Sequence, residues 1–159
     1  MYNIFEIKKF YIIIFLISLF SLLMAFYIEF FLDYKPCKLC IYQRIPYLVA
    51  IFLTFLGISF SKNLIWLYAL LLTFFSSFLL SGYHFGIEKE LFREFSGCTG
   101  NSLSIIDKNE LLKLLNSEIK SCKNVDFTIF GLSLATINFL LSFIIFILII
   151  KIIKNEKNK

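Results

Sequence analysis

Apolar residues are grouped into four long segments along the chain instead of alternating with polar ones. Asp, Glu, Lys and Arg are all absent from four stretches, which are residues 10–28, 45–61, 63–87 and 127–150. At a rise of about 1.5 Å per residue, each stretch crosses or nearly crosses a hydrocarbon core of about 30 Å. The pattern predicts four transmembrane helices, which span about 10–31, 45–61, 64–84 and 128–150.

The first connecting segment after a predicted span, about residues 32–44, is short and is bounded by proline. Pro36 favours an extended or turning backbone. Pro46 lies at the expected start of the second span, where a missing N–H does no harm. This segment therefore has little slack and is held near the lipid headgroups.

The other outer segment, about residues 85–127, is long enough to contain structure of its own. It holds two apolar stripes at helical spacing, the second of which follows a capping-box pattern at Asp107 and Glu110. The stripes are Ile87, Leu91, Phe92 and Phe95, then Leu111, Leu112, Leu115 and Ile119. The expected fold class is an all-α membrane protein, a four-transmembrane-helix bundle in a single domain over 1–159. Short amphipathic helices are expected in the long outer loop, on the membrane surface.

Composition agrees with a membrane protein, and charge placement predicts its orientation. Hydrophobic residues make up 59% of the chain and charged ones only 17%, where a soluble domain has about a quarter charged. The formal net charge of +5 is contributed by the amino terminus, Lys62 and the carboxyl-terminal tail, while the two outer segments are neutral. Because cytoplasmic segments are enriched in Lys and Arg, we expect both termini in the cytoplasm and both outer segments in the bacterial periplasm. The basic balance thus gives no reason to expect nucleic acid binding.

The first apolar segment follows Lys8 and Lys9, as a signal peptide would. Its apolar run is longer than the roughly 7 to 15 residues of a signal-peptide core, and no small-x-small cleavage site closes it. We therefore expect an uncleaved first span.

All four cysteines lie in the outer segments, at Cys37, Cys40, Cys98 and Cys122. Disulfides form and persist in the oxidising periplasm. Four cysteines permit three pairings, and the sequence alone does not choose among them. The C-x-x-C spacing favours Cys37 with Cys40, which would leave Cys98 with Cys122.

Three kinds of function fit this cysteine set. A structural disulfide closing a loop of about 25 residues would stabilise the fold by roughly 3 to 4 kcal/mol. Zinc suits a C-x-x-C, but the second pair lacks that spacing and the compartment favours oxidation, so we expect no metal. Redox chemistry at Cys37 and Cys40 is favoured, because so small a ring restrains little chain. In addition, Arg44 lies one helical turn past Cys40, where a guanidinium favours a thiolate.

Other polar residues near the predicted membrane surface are further candidates for the site. His84, the only histidine, lies where the third span emerges and could hydrogen-bond a carbonyl or move a proton. Gln43 could orient a carbonyl, while Arg44 and His84 have the alternative of being interfacial polar residues. Asn138 is polar inside the fourth span, where helix-to-helix hydrogen bonding and proton handling are both open.

Taken together, these motifs resemble the bacterial disulfide bond formation protein B (DsbB) family, membrane quinone reductases that reoxidise a soluble thiol oxidase. The resemblance covers nearly the whole chain, and the order and spacing of its parts make it specific. Its parts are the four spans, residues 35–44, residues 83–88, single cysteines at 98 and 122, and residues 130–138. One departure precedes Cys98, where residues 92–97 lack the proline and tryptophan found in many relatives.

The resemblance implies a protein-dithiol:quinone oxidoreductase that uses ubiquinone or menaquinone. A reduced periplasmic thioredoxin-like thiol oxidase (DsbA-like) would attack a Cys98–Cys122 disulfide at Cys98. Electrons would then pass through a transient Cys37–Cys98 link to the Cys37–Cys40 pair, and Cys40 would reduce the quinone. The quinone site would include Arg44, His84 and Gln43.

Two other functions also fit four spans with two cysteine pairs. A vitamin K epoxide reductase-like thiol oxidoreductase also joins four spans to two cysteine pairs, but its C-x-x-C follows the other pair, the reverse of the order in this chain. A non-enzymatic membrane scaffold would use its disulfides only to brace the outer loops. Trapping a mixed disulfide with a partner would separate the scaffold from the enzyme.

Overall fold

A computed structural model describes residues 4–60, 63–93, 122, 128–129 and 131–158. Over these residues the chain forms five α-helices and one two-stranded hairpin. The elements are α1 (Ile4–Phe30), α2 (Lys38–Tyr42), α3 (Ile45–Ser59), α4 (Ile65–Glu88), β1 (Thr128–Ile129), β2 (Leu132–Ser133) and α5 (Leu134–Lys157).

Four segments of the described chain are long and apolar enough to cross a membrane. They are Glu6–Phe30, Lys38–Ser59, Ile65–Glu88 and Leu134–Lys157. The second contains both α2 and α3, which are separated by the two turn residues Gln43 and Arg44. The predicted all-α, four-span architecture is confirmed, and the chain is a multi-pass membrane protein.

The fourth span begins later than its apolar run. β1 and β2 pair in antiparallel register, with Thr128 opposite Ser133, and the turn between them places Gly131 at φ +77°, a conformation that glycine adopts without steric cost. The Ser133 hydroxyl then accepts a hydrogen bond of 3.1 Å from the Thr136 N–H and caps α5. The hairpin therefore occupies the first residues of the apolar segment, and α5 begins at Leu134.

The third span continues beyond His84 and ends at Glu88 in a Schellman motif. The Leu91 N–H donates to the Gly86 carbonyl at 2.8 Å, and the Glu90 N–H donates to the Ile87 carbonyl at 3.0 Å. The first predicted amphipathic stripe is consequently divided, because Ile87 belongs to α4 while Leu91 and Phe92 follow it in the turn. The second predicted amphipathic helix lies outside the described residues, as does Cys98.

The spans pack in chain order around the bundle. α1 packs against α3, α3 against α4, and α4 against α5, whereas α1 and α5 share almost no backbone contact within the described part of the chain. Most of the buried core lies toward the end of the bundle that carries both termini and includes Tyr11, Leu70 and Ile149. At the other end the facing halves of α1 and α5 leave a gap, which we call the open seam.

Candidate active site

The C-x-x-C is shaped by the start of α2. Cys37 is the N-cap residue, with an extended backbone (φ −69°, ψ 166°), and its sulfur accepts a hydrogen bond of 3.2 Å from the Cys40 N–H. One helical turn then brings the Cys40 sulfur to 2.7 Å from the Cys37 sulfur, and both are free thiols. A disulfide bond is about 2.05 Å long, so only a small movement separates this dithiol from its oxidised form.

Of the two thiols, Cys37 is the one whose ionised form is stabilised by its surroundings. The pKa of the Cys37 thiol is lowered from 9.0 to about 5, chiefly because the Cys40 thiol hydrogen-bonds its sulfur. Burial opposes this shift, while a hydrogen bond and the charge of His84 add to it. A thiol with a lowered pKa leaves a disulfide more readily, so Cys37 is suited to be a leaving group.

Arg44 lines the same cavity as Cys40 but has its own partners there. Its Nη1 donates to the carboxylate of Glu29 in α1, and its guanidinium lies 5.1 Å from the centre of the Phe26 ring. Arg44 therefore forms an ion pair that links α1 to the start of α3, in addition to the effect on Cys40 that the sequence predicts. Sequence reasoning missed Glu29 in this role, since nothing in the spacing links it to Arg44.

His84 and Gln43, predicted as separate candidates, are brought into contact. Nδ1 of His84 lies 2.9 Å from Nε2 of Gln43, and Nε2 of His84 lies 3.7 Å from the Cys37 sulfur. On its other side Nε2 is 3.9 Å from a carboxylate oxygen of Glu88. The ring is 3% exposed, so these contacts replace the hydration of the imidazole.

Cys122 is packed directly on this site. It is disulfide-bonded, 2% exposed, and belongs to one buried cluster with Cys37, Leu39 and Ile87. Its backbone also hydrogen-bonds the His84 ring. The two outer segments that carry the cysteines therefore meet at the C-x-x-C.

A chain of polar side chains continues from His84 into the bundle. Nδ2 of Asn138 in α5 donates to Oε1 of Gln43 at 2.9 Å, and the Tyr47 hydroxyl donates to Oδ1 of Asn138. The Ser142 hydroxyl also donates to that oxygen at 3.3 Å. Sequence reasoning missed Tyr47, whose polar partner is 91 residues away in the chain.

A cavity of about 670 Å³ lies beside these groups and reaches the open seam. Such a volume falls within the roughly 300 to 1,000 Å³ of small-molecule sites. Its polar end includes both sulfurs of the C-x-x-C, and the lining residues there are Cys37, Cys40, Gln43, Arg44, His84 and Glu88. Its remaining walls come mainly from apolar residues of α1 and α5, which are Leu16, Ile17, Phe20, Leu22, Met24, Ala25, Ile28, Leu134, Ala135, Ile137 and Leu141.

The donor atoms of Cys37, Cys40 and His84 would also suit a metal by type, since they all lie within 4.8 Å of one another. Two thiolates on one tetrahedral zinc, each about 2.3 Å from the ion, are about 3.8 Å apart. The sulfurs of Cys37 and Cys40 are closer than that, at 2.7 Å. Their spacing fits a dithiol that forms a disulfide better than it fits a zinc site.

These features define a class of protein, the membrane-embedded thiol oxidoreductases, in which a dithiol beside a histidine meets a second, disulfide-bonded cysteine. Within this class, the chain belongs to the disulfide bond formation protein DsbB family, which it matches over residues 7–152. It is also 30% identical over 132 residues to the uncharacterized protein RP370 of Rickettsia prowazekii (strain Madrid E), covering 79% of this chain and 76% of that protein. The family predicted from the sequence motifs is confirmed.

Proposed function

We propose that this protein oxidises a periplasmic thioredoxin-like thiol oxidase and passes the electrons to a membrane quinone, either ubiquinone or menaquinone. The observation that carries this proposal is the position of Cys40, which, like Cys37, lines a mainly apolar cavity between α1 and α5. A quinone is an apolar molecule with two carbonyl oxygens, and it would supply a two-electron, two-proton acceptor. The proposed orientation has both termini in the cytoplasm of a bacterial inner membrane.

The residues at the polar end of the cavity have the chemistry that a quinone requires. The guanidinium of Arg44 offers N–H donors and a positive charge to a carbonyl oxygen that gains negative charge on reduction. Gln43 and His84, which contact each other, also line the polar end of the cavity. Arg44 would orient the head group and stabilise its charge, while the walls from α1 and α5 would exclude water.

The packing of Cys122 supports a specific order of thiol exchange. Attack of the partner's thiolate on Cys98 would release Cys122 as a thiolate. Cys122 would then attack the Cys37–Cys40 disulfide at Cys37, forming a Cys37–Cys122 bond and releasing Cys40 with the electron pair. Because Cys122 belongs to the same buried cluster as Cys37, we propose Cys122 in place of Cys98 for the expected link between the loops.

The net reaction balances over one cycle. The second thiolate of the partner would attack the partner–Cys98 bond, forming the disulfide of the partner and releasing Cys98 as a thiolate. Cys98 would then attack Cys122 in the Cys37–Cys122 bond, which re-forms Cys98–Cys122 and releases Cys37 as a thiolate. Cys37 and Cys40 would re-form their disulfide as two electrons pass to the quinone, which also takes up two protons. Cys40 lines the cavity and would donate those electrons. Cys37 belongs to the buried cluster with Cys122 and would exchange with that cysteine.

Reconstitution tests the proposal. Purified full-length protein in nanodiscs, a reduced thioredoxin-like protein and a soluble quinone analogue should give loss of one quinone for every two thiols oxidised. Cys40→Ser should abolish quinone loss. Ser76→Ala should leave it unchanged, because Ser76 is exposed and, among the described residues, its hydroxyl bonds only the Leu72 carbonyl of its own helix. If the partner forms no mixed disulfide and no quinone is consumed, the scaffold alternative is favoured instead.

A further inference from the structure

The surroundings of His84 Nε2 call for a hydrogen on that nitrogen. Within the described part of the chain, Nε2 faces the Cys37 sulfur at 3.7 Å and a Glu88 carboxylate oxygen at 3.9 Å, both of them hydrogen-bond acceptors, and the ring also hydrogen-bonds the backbone of Cys122. When Cys37 is part of a disulfide its sulfur has no charge, and the uncharged imidazole of His84 then carries its hydrogen on one nitrogen and a lone pair on the other. Nδ1 must then be the acceptor, and it needs a donor of its own.

Gln43 supplies that donor only in one orientation of its amide. Its Nε2 lies 2.9 Å from Nδ1 of His84, which leaves Oε1 to be satisfied on the opposite side. Nδ2 of Asn138 donates to that oxygen at 2.9 Å. Gln43 is 7% exposed, and an unsatisfied amide in so apolar a setting is costly, so the orientation of Gln43 depends on Asn138.

Asn138 is oriented in the same way by hydroxyl groups. The hydroxyls of Tyr47 and Ser142 both donate to its Oδ1, which turns its Nδ2 toward Gln43. With both amides reversed, Gln43 would present oxygen to Nδ1, and the lone pair of Nε2 would then face the Cys37 sulfur and the Glu88 carboxylate. Repulsion at the His84 end disfavours the reversed chain, and at the other end the hydroxyls of Tyr47 and Ser142 would have to accept hydrogen bonds from Nδ2 of Asn138 instead of donating to its Oδ1.

We propose that Asn138 and Tyr47 are positioning residues that set, through Gln43, the tautomer of His84 with its hydrogen on Nε2, aimed at Cys37. The function given to this N–H rests on the thiol relay proposed above. When a thiolate attacks the other sulfur of a disulfide that includes Cys37, the S–S bond breaks and the electron pair stays on Cys37. The Nε2–H of His84 then stabilises the departing thiolate.

Nitrogen NMR tests the tautomer directly, because His84 is the only histidine in the chain. In oxidised full-length protein labelled with ¹⁵N-histidine, in which Cys37 is in a disulfide, Nδ1 should have the chemical shift of an unprotonated ring nitrogen and Nε2 that of an N–H. Asn138→Leu should give a mixture of both tautomers. A hydrogen on Nδ1 in the unaltered protein, or an unchanged spectrum in Asn138→Leu, would overturn the proposal.

A second variant decides the matter if Asn138→Leu fails to fold. Tyr47→Phe combined with Ser142→Ala removes both hydroxyl donors to Asn138 with little change in volume, and it should also mix the tautomers. The matched control is Thr54→Val, two helical turns from Tyr47 in α3. Within the part of the chain that the structure describes, the Thr54 hydroxyl bonds only the carbonyls of Ala50 and Ile51. The control should keep the tautomer of the unaltered protein, and loss of that tautomer in the control would overturn the proposal.

The kinetic effect separates positioning from quinone binding. Because the hydrogen bond to Cys37 is lost in the molecules with the other tautomer, kcat should fall in proportion to their share in Asn138→Leu, by about 2-fold for an equal mixture, while the quinone KM stays the same. A raised quinone KM with unchanged kcat would contradict the positioning role. The NMR result needs neither quinone nor partner, so failure of the proposed relay and failure of the tautomer assignment are distinguishable.

Discussion

At the scale of one residue, Arg44 shows that the sequence predicted only part of the site. The C-x-x-C spacing, the nearby arginine and the lone histidine marked the chemistry, because these residue types are local signals. Glu29 and Tyr47 were not found, since their partners are 15 and 91 residues away and only the packing of the spans brings them together. The ion pair with Glu29 now gives Arg44 two roles, one toward α1 and one toward a ligand.

A pair of variants separates those two roles. Arg44→Ala should raise the quinone KM about 10-fold through loss of a charged donor, and it should lower thermal stability by leaving Glu29 unpaired. Arg44→Ala combined with Glu29→Gln should recover stability without recovering the KM. Steady-state kinetics in nanodiscs and thermal unfolding check both, and a quinone KM unchanged by Arg44→Ala would remove Arg44 from the site.

The lowered pKa of Cys37 makes a pH-dependent prediction for the reduced protein. The thiolate is present above about pH 5 and is lost as the pH falls through that value. Alkylation of Cys37 by iodoacetamide, followed on its own peptide by mass spectrometry, should therefore reach half its maximal rate near pH 5. His84→Ala should move this midpoint upward, and Cys40→Ala should move it further, because the Cys40 hydrogen bond is the largest cause of the shift. A midpoint near pH 9 would contradict the assignment.

At the scale of elements, runs without charge located the four spans but not all of their ends. The hairpin at 128–133 lies inside an uninterrupted apolar run, so hydropathy could not separate it from α5. Its signals were Gly131, which takes a positive φ, and the Ser133 hydroxyl, which caps the helix. α4 in turn passes the polar residue His84, because burial of the ring among polar partners removes the reason for the helix to stop there.

The crossing of α1 and α3 depends on a residue without a side chain. A Cβ at Gly57 would lie 2.6 to 2.9 Å from ring atoms of Tyr11, and that ring is fully buried. Gly57→Ala should therefore destabilise the protein by about 1 to 3 kcal/mol through overpacking, as measured by thermal or denaturant unfolding in detergent. Ser76→Ala, at an exposed position, should have no comparable effect. If the two variants are equally stable, the Tyr11 ring can move to make room for the added Cβ.

At the scale of the whole molecule, the order and spacing of the sequence motifs predicted the family, which the match over residues 7–152 confirms. The cavity was beyond prediction, because it arises from the low contact between α1 and α5, a relation between segments at opposite ends of the chain. The packing of Cys122 against Cys37 could not be predicted either, since no spacing rule connects two loops that are separated by two spans.

Filling the cavity tests whether it admits the quinone. Ala25→Trp places a large ring among the α1 residues that line it and should raise the quinone KM at least several-fold, while mixed-disulfide formation with the thiol partner stays unchanged. The control is Leu72→Trp, on an exposed face of α4, which should change neither quantity. Equal quinone KM values for the two variants would place the quinone elsewhere.

The open seam has a consequence for how the two substrates arrive. On the proposed function, a lipophilic acceptor reaches the cavity by two-dimensional diffusion within the bilayer, whereas the protein partner approaches from the aqueous phase. Their approach directions are perpendicular, so neither has to leave before the other binds. The turnover rate would then depend on the mole fraction of acceptor in the lipid instead of its total concentration, and diluting the membrane with inert lipid would slow a fully intact enzyme.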